Sequence, residues 1–233
     1  MKIKRILLKI SGEALQDHTG SISHDVLNYL SEEIIKCYHE GAQIALVVGG
    51  GNIHRGQEGF TAGIERVTSD YMGMLATMIN ALALQDTLER KGIPARILSA
   101  IKIEMISEIY FRRKALDYLE KNVIVIFAAG IGNPYFTTDS AAAIRAKEMN
   151  ADVLIKATKV GGLYDKDPKI FSDAKFLQQA TYQQVLENKL HVMDPTAFTL
   201  CEENAMPIMI YNLFEENSLV NIVKGEPIGS MIK

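Results

Sequence analysis

The chain has 233 residues, a formal net charge of −3, and 48% hydrophobic against 23% charged residues. That length favours one sizeable α/β core over two small ones, and that composition excludes a disordered or low-complexity chain. The acidic balance argues against a protein that coats nucleic acid, while an anionic small ligand in a local basic pocket stays open.

The opening Met1 to Lys9 run is basic and then apolar, but Lys9 interrupts it and no small-residue cleavage pattern follows, so no signal peptide is expected. No stretch approaches the roughly 20 apolar residues that span a bilayer. A cytoplasmic location without a membrane partner is expected, with Cys37 and Cys201 as buried free thiols.

Along the chain, short β-branched runs alternate with stretches of 3.6-residue periodicity, the pattern of βαβ units. A strand is expected at Ile6 to Ile10, a helix at Asp25 to His39, a strand at Ile44 to Val48 and a long helix at Tyr71 to Lys91. The series continues with a strand at Ala95 to Leu98, a helix at Arg112 to Glu120, a strand at Val123 to Phe127 and a helix at Ser140 to Met149. A strand at Val153 to Lys156, helices at Tyr182 to Glu187 and Pro195 to Asn204, and a strand at Ile208 to Tyr211 complete it. The strands are apolar on both faces, so the expected fold is α/β, a three-layer αβα sandwich around a mostly parallel sheet, with residues 1–233 as one domain. In the long helix Leu75, Met78, Ile79 and Leu82 follow i, i+3, i+4, i+7 spacing and are expected to fill the core in preference to a subunit interface. The least regular region, 161–174, is a candidate functional loop.

Three glycine-bearing turns follow expected strands, where open α/β sheets bind ligands. They are Lys9-Ile10-Ser11-Gly12, Gly49-Gly50-Gly51-Asn52 and Gly130-Ile131-Gly132-Asn133-Pro134. Glycine allows close backbone approach, and free N–H groups at a helix start favour anions, so the three together point to phosphate binding. Neither G-x-x-x-x-G-K-[ST] nor G-x-G-x-x-G is present, so the cations must come from elsewhere. Lys9 and Lys156 qualify, because each ends an otherwise apolar strand. Asp139 precedes an alanine-rich helix and reads as an N-cap, which is compatible with catalysis. Asp70 either caps the long helix or accepts from sugar hydroxyls. Arg55, four residues past the triple glycine, suits paired hydrogen bonds to phosphate. His18, His24, His39, His54 and His191 show no metal-ligand spacing, and no G-x-S-x-G elbow occurs.

Taken together these motifs resemble the amino acid kinase superfamily, specifically its bacterial UMP kinase branch, over nearly the whole chain. The resemblance rests on Lys9-Ile10-Ser11-Gly12-Glu13-Ala14-Leu15, Gly49-Gly50-Gly51-Asn52 with Arg55-Gly56, and Asp70-Tyr71-Met72-Gly73-Met74-Leu75-Ala76-Thr77. Gly132-Asn133-Pro134-Tyr135-Phe136-Thr137-Thr138-Asp139 adds to it. So does Lys156-Ala157-Thr158-Lys159-Val160 followed by Gly162-Leu163-Tyr164-Asp165-Lys166-Asp167-Pro168.

The resemblance implies ATP-dependent phosphorylation of UMP to UDP, with Mg2+ entering on the ATP and no protein metal site. ATP would meet Lys9, Ile10, Ser11, Gly12, Gly51, Arg55, Thr158, Tyr164 and Asp167. UMP would meet Gly50, Asp70, Ile131, Gly132, Asn133, Pro134, Tyr135, Phe136, Thr137 and Thr138. Lys9, Lys156 and Asp139 would be catalytic, the acceptor side lying mainly in the N-terminal part and the ATP side from about residue 152 onward. Gly50 would face the acceptor phosphate and Gly51 the donor.

Two positions and one segment depart from the branch: Ile131 replaces a common threonine, Gly161 a frequent aspartate, and the 16–23 segment lacks the Gly-Phe-Gly run where GTP activation is partly seated. The resemblance also implies a homohexamer inhibited by UTP, with the apolar Tyr71 helix as candidate interface, and leaves GTP activation open. The competing readings are a kinase acting on a carboxylate or another small phosphate, and a nucleotide sensor without catalysis.

Overall fold

The computed structural model describes every residue except Met1, Thr19, Asp167, Lys169, Ser172 and His191. The expected ATP ligand Asp167 therefore lies outside the described residues. In chain order the elements are β1 (Arg5–Ile10), a 3-10 turn (Gly12–Ala14), α1 (His24–His39), β2 (Gln43–Val48), α2 (Gly56–Thr61), α3 (Arg66–Arg90) and β3 (Ala95–Ser99). Next come β4 (Glu108–Ile109), α4 (Arg112–Glu120), β5 (Ile124–Ala128), α5 (Thr138–Glu148), β6 (Val153–Thr158), β7 (Leu163–Tyr164) and β8 (Phe176–Leu177). The chain ends with β9 (Gln179–Ala180), α6 (Tyr182–Glu187), α7 (Pro195–Glu203), β10 (Ile208–Asn212), α8 (Ser218–Lys224) and β11 (Ser230–Ile232).

The nine-stranded sheet runs β4-β3-β5-β2-β1-β6-β10-β11-β9. It is parallel throughout except at the β10/β11 pair. The chain winds from β1 outward through β2 to the β3 edge, then crosses back over α5 to β6 on the other side of β1. The C-terminal ends of β1, β2, β5 and β6 thus converge where the winding reverses, and that is where such sheets leave a crevice. β7 and β8 form a separate antiparallel ribbon.

Side-chain alternation divides the interior into two cores, one on each face of the sheet. Ile6, Leu8 and Ile10 of β1 pack with α1, α3 and α8, whereas Leu7 packs with α4, α5 and α7. β6 repeats the pattern, with Val153, Ile155 and Ala157 on the first face and Leu154 on the second. Each fully buried Leu or Ile contributes about 1.5–3 kcal/mol relative to exposure, so the alternating burial holds strand register firmly. Both cysteines are buried and free.

All the expected strands and helices occur, most with ends shifted by a residue or two. Two helix starts differ in a way that matters. α3 begins five residues before Tyr71, because the Glu65 carboxylate accepts the N–H groups of Val67 and Thr68. Asp70 therefore sits inside the helix and does not cap it. α5 begins at Thr138, with the Thr137 hydroxyl accepting the N–H groups of Asp139 and Ser140. Thr137, not Asp139, is its N-cap.

The expected inward stripe of α3 is also corrected. Met78 is buried and Leu82 half-buried, but Leu75 and Ile79 are 49% and 47% exposed. Tyr71 and Met72 join them on the open side of the helix. A helix laid along the sheet's flank hides one face only, and α3 carries apolar residues on its open face as well.

Candidate active site

Lys9 and Lys156 are register partners on adjacent parallel strands. Each lies two residues beyond a leucine, Leu7 or Leu154, that packs into the α5-side core. Period-two alternation therefore points both lysines to the α5 face at the C-terminal strand ends. Burying two ammonium groups side by side costs several kcal/mol each unless a counter-charge lies between them. Asp139, in the first turn of α5, supplies it. Its Oδ1 lies 2.7 Å from Lys9 Nζ, and its Oδ2 accepts a 2.8 Å hydrogen bond from Lys156 Nζ. Lys156 Nζ also donates to the Val192 carbonyl at 2.6 Å.

Burial alone would raise the Asp139 carboxyl, but the charges of Lys9 and Lys156 outweigh it and hold the group below the usual carboxylate range. Burial lowers Lys156, opposed by Asp139 and reinforced by Lys9. The trio itself has two cations for one anion, with Asp194 also acting on Lys156, and its ammonium groups can neutralise charge on a transferring phosphoryl group.

The first two glycine turns meet directly above this trio. A Cβ on Gly12 would stand 2.5 Å from Gly51 N, and one on Gly50 would stand 2.8 Å from Ala76 Cβ and 2.9 Å from Gly73 O. Neither residue has a positive φ. Close approach therefore requires glycine here: Gly12 lets the β1 and β2 loops touch, and Gly50 lets the β2 loop lie against α3. The third turn depends on conformation instead, since Gly130, Gly132 and the non-glycine residues Ala129 and Tyr135 all have positive φ.

These loops enclose a cavity of about 390 Å3. Of the predicted residues, Lys9, Ser11, Gly12, Gly50, Gly51, Arg55, Asp70, Ile131, Asn133, Phe136, Thr137, Thr138 and Asp139 line it. Thr158 and Tyr164 line a second cavity of about 480 Å3 between the β7 loop and Asn188, Lys189, Leu190 and Val192. Lys156 itself lines neither cavity, although its partner Asp139 lines the first and its partner Val192 the second. Ile10, Gly132, Pro134 and Tyr135 line neither cavity. Ile10 is fully buried with its side chain in the α1-side core.

Arg55 is half exposed and paired with Glu13 of the β1 loop, with Glu58 at 3.6 Å. Asp70 Oδ2 accepts from Arg66 Nε and from Tyr135 N–H, both at 2.8 Å. That leaves Oδ1 as the oxygen with capacity for a sugar hydroxyl.

Several lining residues escaped sequence reasoning. Asp194 accepts from the Thr137 hydroxyl at 2.5 Å while capping α7 through Ala197 N–H, so it ties the starts of α5 and α7 together. Its cap position before Pro195 was a usable signal for a helix start. Arg66 stacks over the Tyr135 ring at 5.3 Å and donates to Gln57 Oε1. His54 Nε2 lies 2.9 Å from Ser69 Oγ, whose own proton goes to Gly56 O, so Nε2 carries the hydrogen.

The model of the amino acid kinase family matches residues 4–212. Among solved structures, the chain is similar to UMP kinase from Bacillus anthracis, at 35% identity and TM-score 0.97, over 100% of this chain and 97% of that one. It is similar to UMP kinase from Ureaplasma parvum at 36% identity and TM-score 0.93, over 100% of both chains. Uridylate kinase from Archaeoglobus fulgidus shares 25% identity at TM-score 0.74, again over 100% of both.

Replacing Asp139 by Asn leaves the buried Lys9 and the half-buried Lys156 without their shared counter-charge, and the expected loss is up to about 3–5 kcal/mol of stability at pH 7. Asp139 is held below its unfolded value near 4. Its contribution is therefore complete above about pH 4 and disappears as pH falls through the lower folded value. Urea unfolding from pH 7 downward should show a flatter acid limb in D139N than in the wild type. Equal stability of the two proteins at pH 7 would contradict the bridging role.

Proposed function

Because the chain belongs to the amino acid kinase family, we propose that it transfers the γ-phosphoryl group of ATP to UMP, giving UDP and ADP. The observation that carries this reading is the Lys9–Asp139–Lys156 trio at the strand ends beneath the touching glycine turns. The full-length likeness to UMP kinases at 35% and 36% identity supports UMP as the acceptor.

An oxygen of the UMP phosphate attacks the γ-phosphorus in line, the bond to the bridging oxygen of the β-phosphate breaks, and ADP leaves with the electron pair. The acceptor is already anionic near neutral pH, so no general base is required. The enzyme contributes positioning and charge neutralisation. We assign Lys9 and Lys156 to the migrating charge, and to Asp139 the task of holding both ammonium groups in place. The turn from Lys9 through Ser11 and Gly12, with Gly51 and Arg55, would hold the donor phosphates, and Thr158, Tyr164 and Asp167 the rest of ATP. Gly50 and residues 131–138 would hold UMP, with Asp70 Oδ1 on the ribose. In this scheme the donor side lies mainly from about residue 152 onward.

Magnesium enters as part of the substrate Mg·ATP. Both oxygens of Asp139 face lysines, and Asp194 is committed to Thr137, Ser140 and Ala197. Among the described residues no group of three His, Cys, Asp or Glu side chains could hold a metal. Phosphate oxygens and water would therefore supply its ligands.

The assay that decides the function is ADP formation with UMP, CMP, aspartate, glutamate and N-acetylglutamate as acceptors. UMP should give the highest kcat/KM. Activity on an amino acid without activity on UMP would overturn the reading, and nucleotide binding without turnover would establish a sensor. Inhibition by UTP, proposed from the family resemblance, can be measured in the same assay.

We also propose self-association through the open α3 face, where Tyr71, Met72, Leu75 and Ile79 are exposed. A contiguous apolar stripe of this kind marks a contact surface. Among the described residues no helix is long and apolar enough to cross a membrane. Leu75→Glu should convert the assembly, a hexamer on the family expectation, into smaller species in sedimentation velocity. An unchanged assembly would remove α3 as the contact.

A further inference from the structure

α3 meets the acceptor cavity through Arg66, Asp70, Gly73, Met74 and Thr77. Asp70, Gly73, Thr77 and Asn80 recur at three- and four-residue spacing and so share one side of the helix. Thr77 and Asn80 are 3% and 0% exposed. Asn80 Nδ2 donates to the Gly49 carbonyl at 2.7 Å and pairs with the Asn52 amide, which in turn donates to Ser21 O. That contact secures the β2 turn.

Thr77 secures the β5 turn in a more demanding way. Its hydroxyl proton goes to the Met74 carbonyl at 2.7 Å. The hydroxyl oxygen is therefore an acceptor toward its second partner, the N–H of Ala129, also at 2.7 Å. Ala129 is fully buried with φ of 61°, a left-handed backbone that residues bearing a Cβ adopt only when the surroundings enforce it. A buried N–H must find an acceptor, and in this strained turn a side chain on the neighbouring helix provides it. Ala129 begins the loop from which Gly130, Ile131, Asn133 and Phe136 line the acceptor cavity.

We propose that Thr77 is a positioning residue for acceptor binding, its hydroxyl oxygen locking Ala129 in the left-handed conformation and thereby seating the 130–136 loop. The identity of the acceptor rests on the reading above, whereas the anchor itself does not. Since Thr77 acts on the loop of one substrate, its loss should separate the two nucleotides kinetically. A purely structural threonine would affect both.

Thr77→Val keeps the shape and removes the acceptor oxygen. It should raise KM for UMP about tenfold, leave KM for ATP unchanged and change kcat far less. Hydrogen exchange at the Ala129 amide should accelerate by a similar factor. T77S keeps the oxygen and should return most of the affinity. Adding Ala129→Gly to T77V should recover part of it, because glycine adopts the left-handed backbone without the Cβ penalty. The proposal is overturned if T77V leaves both the UMP KM and Ala129 exchange at wild-type values. It is equally overturned if both nucleotide KM values rise together and T77S fails to restore them. If the wild type does not phosphorylate UMP while Ala129 protection still depends on Thr77, the acceptor reading fails and the anchor stands. Should T77V phosphorylate UMP as well as the wild type with Ala129 exchange unchanged, the anchor fails and the acceptor reading stands.

Discussion

One buried carboxylate between a buried and a half-buried lysine organises this molecule. Parallel pairing of β1 with β6 puts Lys9 opposite Lys156, and alternation turns both onto the face covered by α5. That juxtaposition would be costly on an apolar sheet, and the first turn of α5 resolves it by delivering Asp139 to both. The start of α5 is in turn set by the Thr137 cap, which Asp194 holds from α7. Sheet register, helix start and inter-helix contact are thus consistent requirements of one electrostatic arrangement.

α3 plays the complementary part from the other face of the sheet. Its buried polar side receives the glycine turn after β2 and the strained turn after β5, through Asn80, Gly73 and Thr77. Its opposite side is apolar and exposed. A helix with two such faces is poorly described by a single amphipathic stripe, and any partner covering the outer face would fix the helix that shapes the acceptor cavity. In this way a surface proposed for assembly and a wall proposed for substrate binding belong to one rigid element.

Much of this was legible in the sequence, for identifiable reasons. Central strands such as Ile44 to Val48 are continuous apolar runs, and lysines ending two such runs stood out as Lys9 and Lys156. What escaped was short or depended on geometry. β4, β7, β8, β9 and β11 are two or three residues long, too short to show a period. The caps were misassigned because carboxylates cluster near both helix starts, and choosing Glu65 over Asp70 or Thr137 over Asp139 requires the backbone path. The inward assignment of Leu75 and Ile79 failed because spacing identifies a stripe without saying what covers it. Thr77 could not be singled out, nor could the tie of Asp194 to the α5 start, since their partners Ala129 and Thr137 are more than fifty residues away in sequence. The triple glycine kept its place in the site but changed its reason: Gly50 is required by contact with α3 as much as by any phosphate.

The central claim is that Asp139 holds Lys9 and Lys156 as a paired clamp for the transferring phosphoryl group. A crystal structure of the protein with UMP and a non-hydrolysable ATP analogue tests it most directly. γ-Phosphate oxygens should lie within about 3 Å of both lysine Nζ atoms, with Asp139 still between them. A γ-phosphate beyond hydrogen-bonding reach of both lysines, or an Asp139 carboxylate turned from them to ligate the metal, would contradict it.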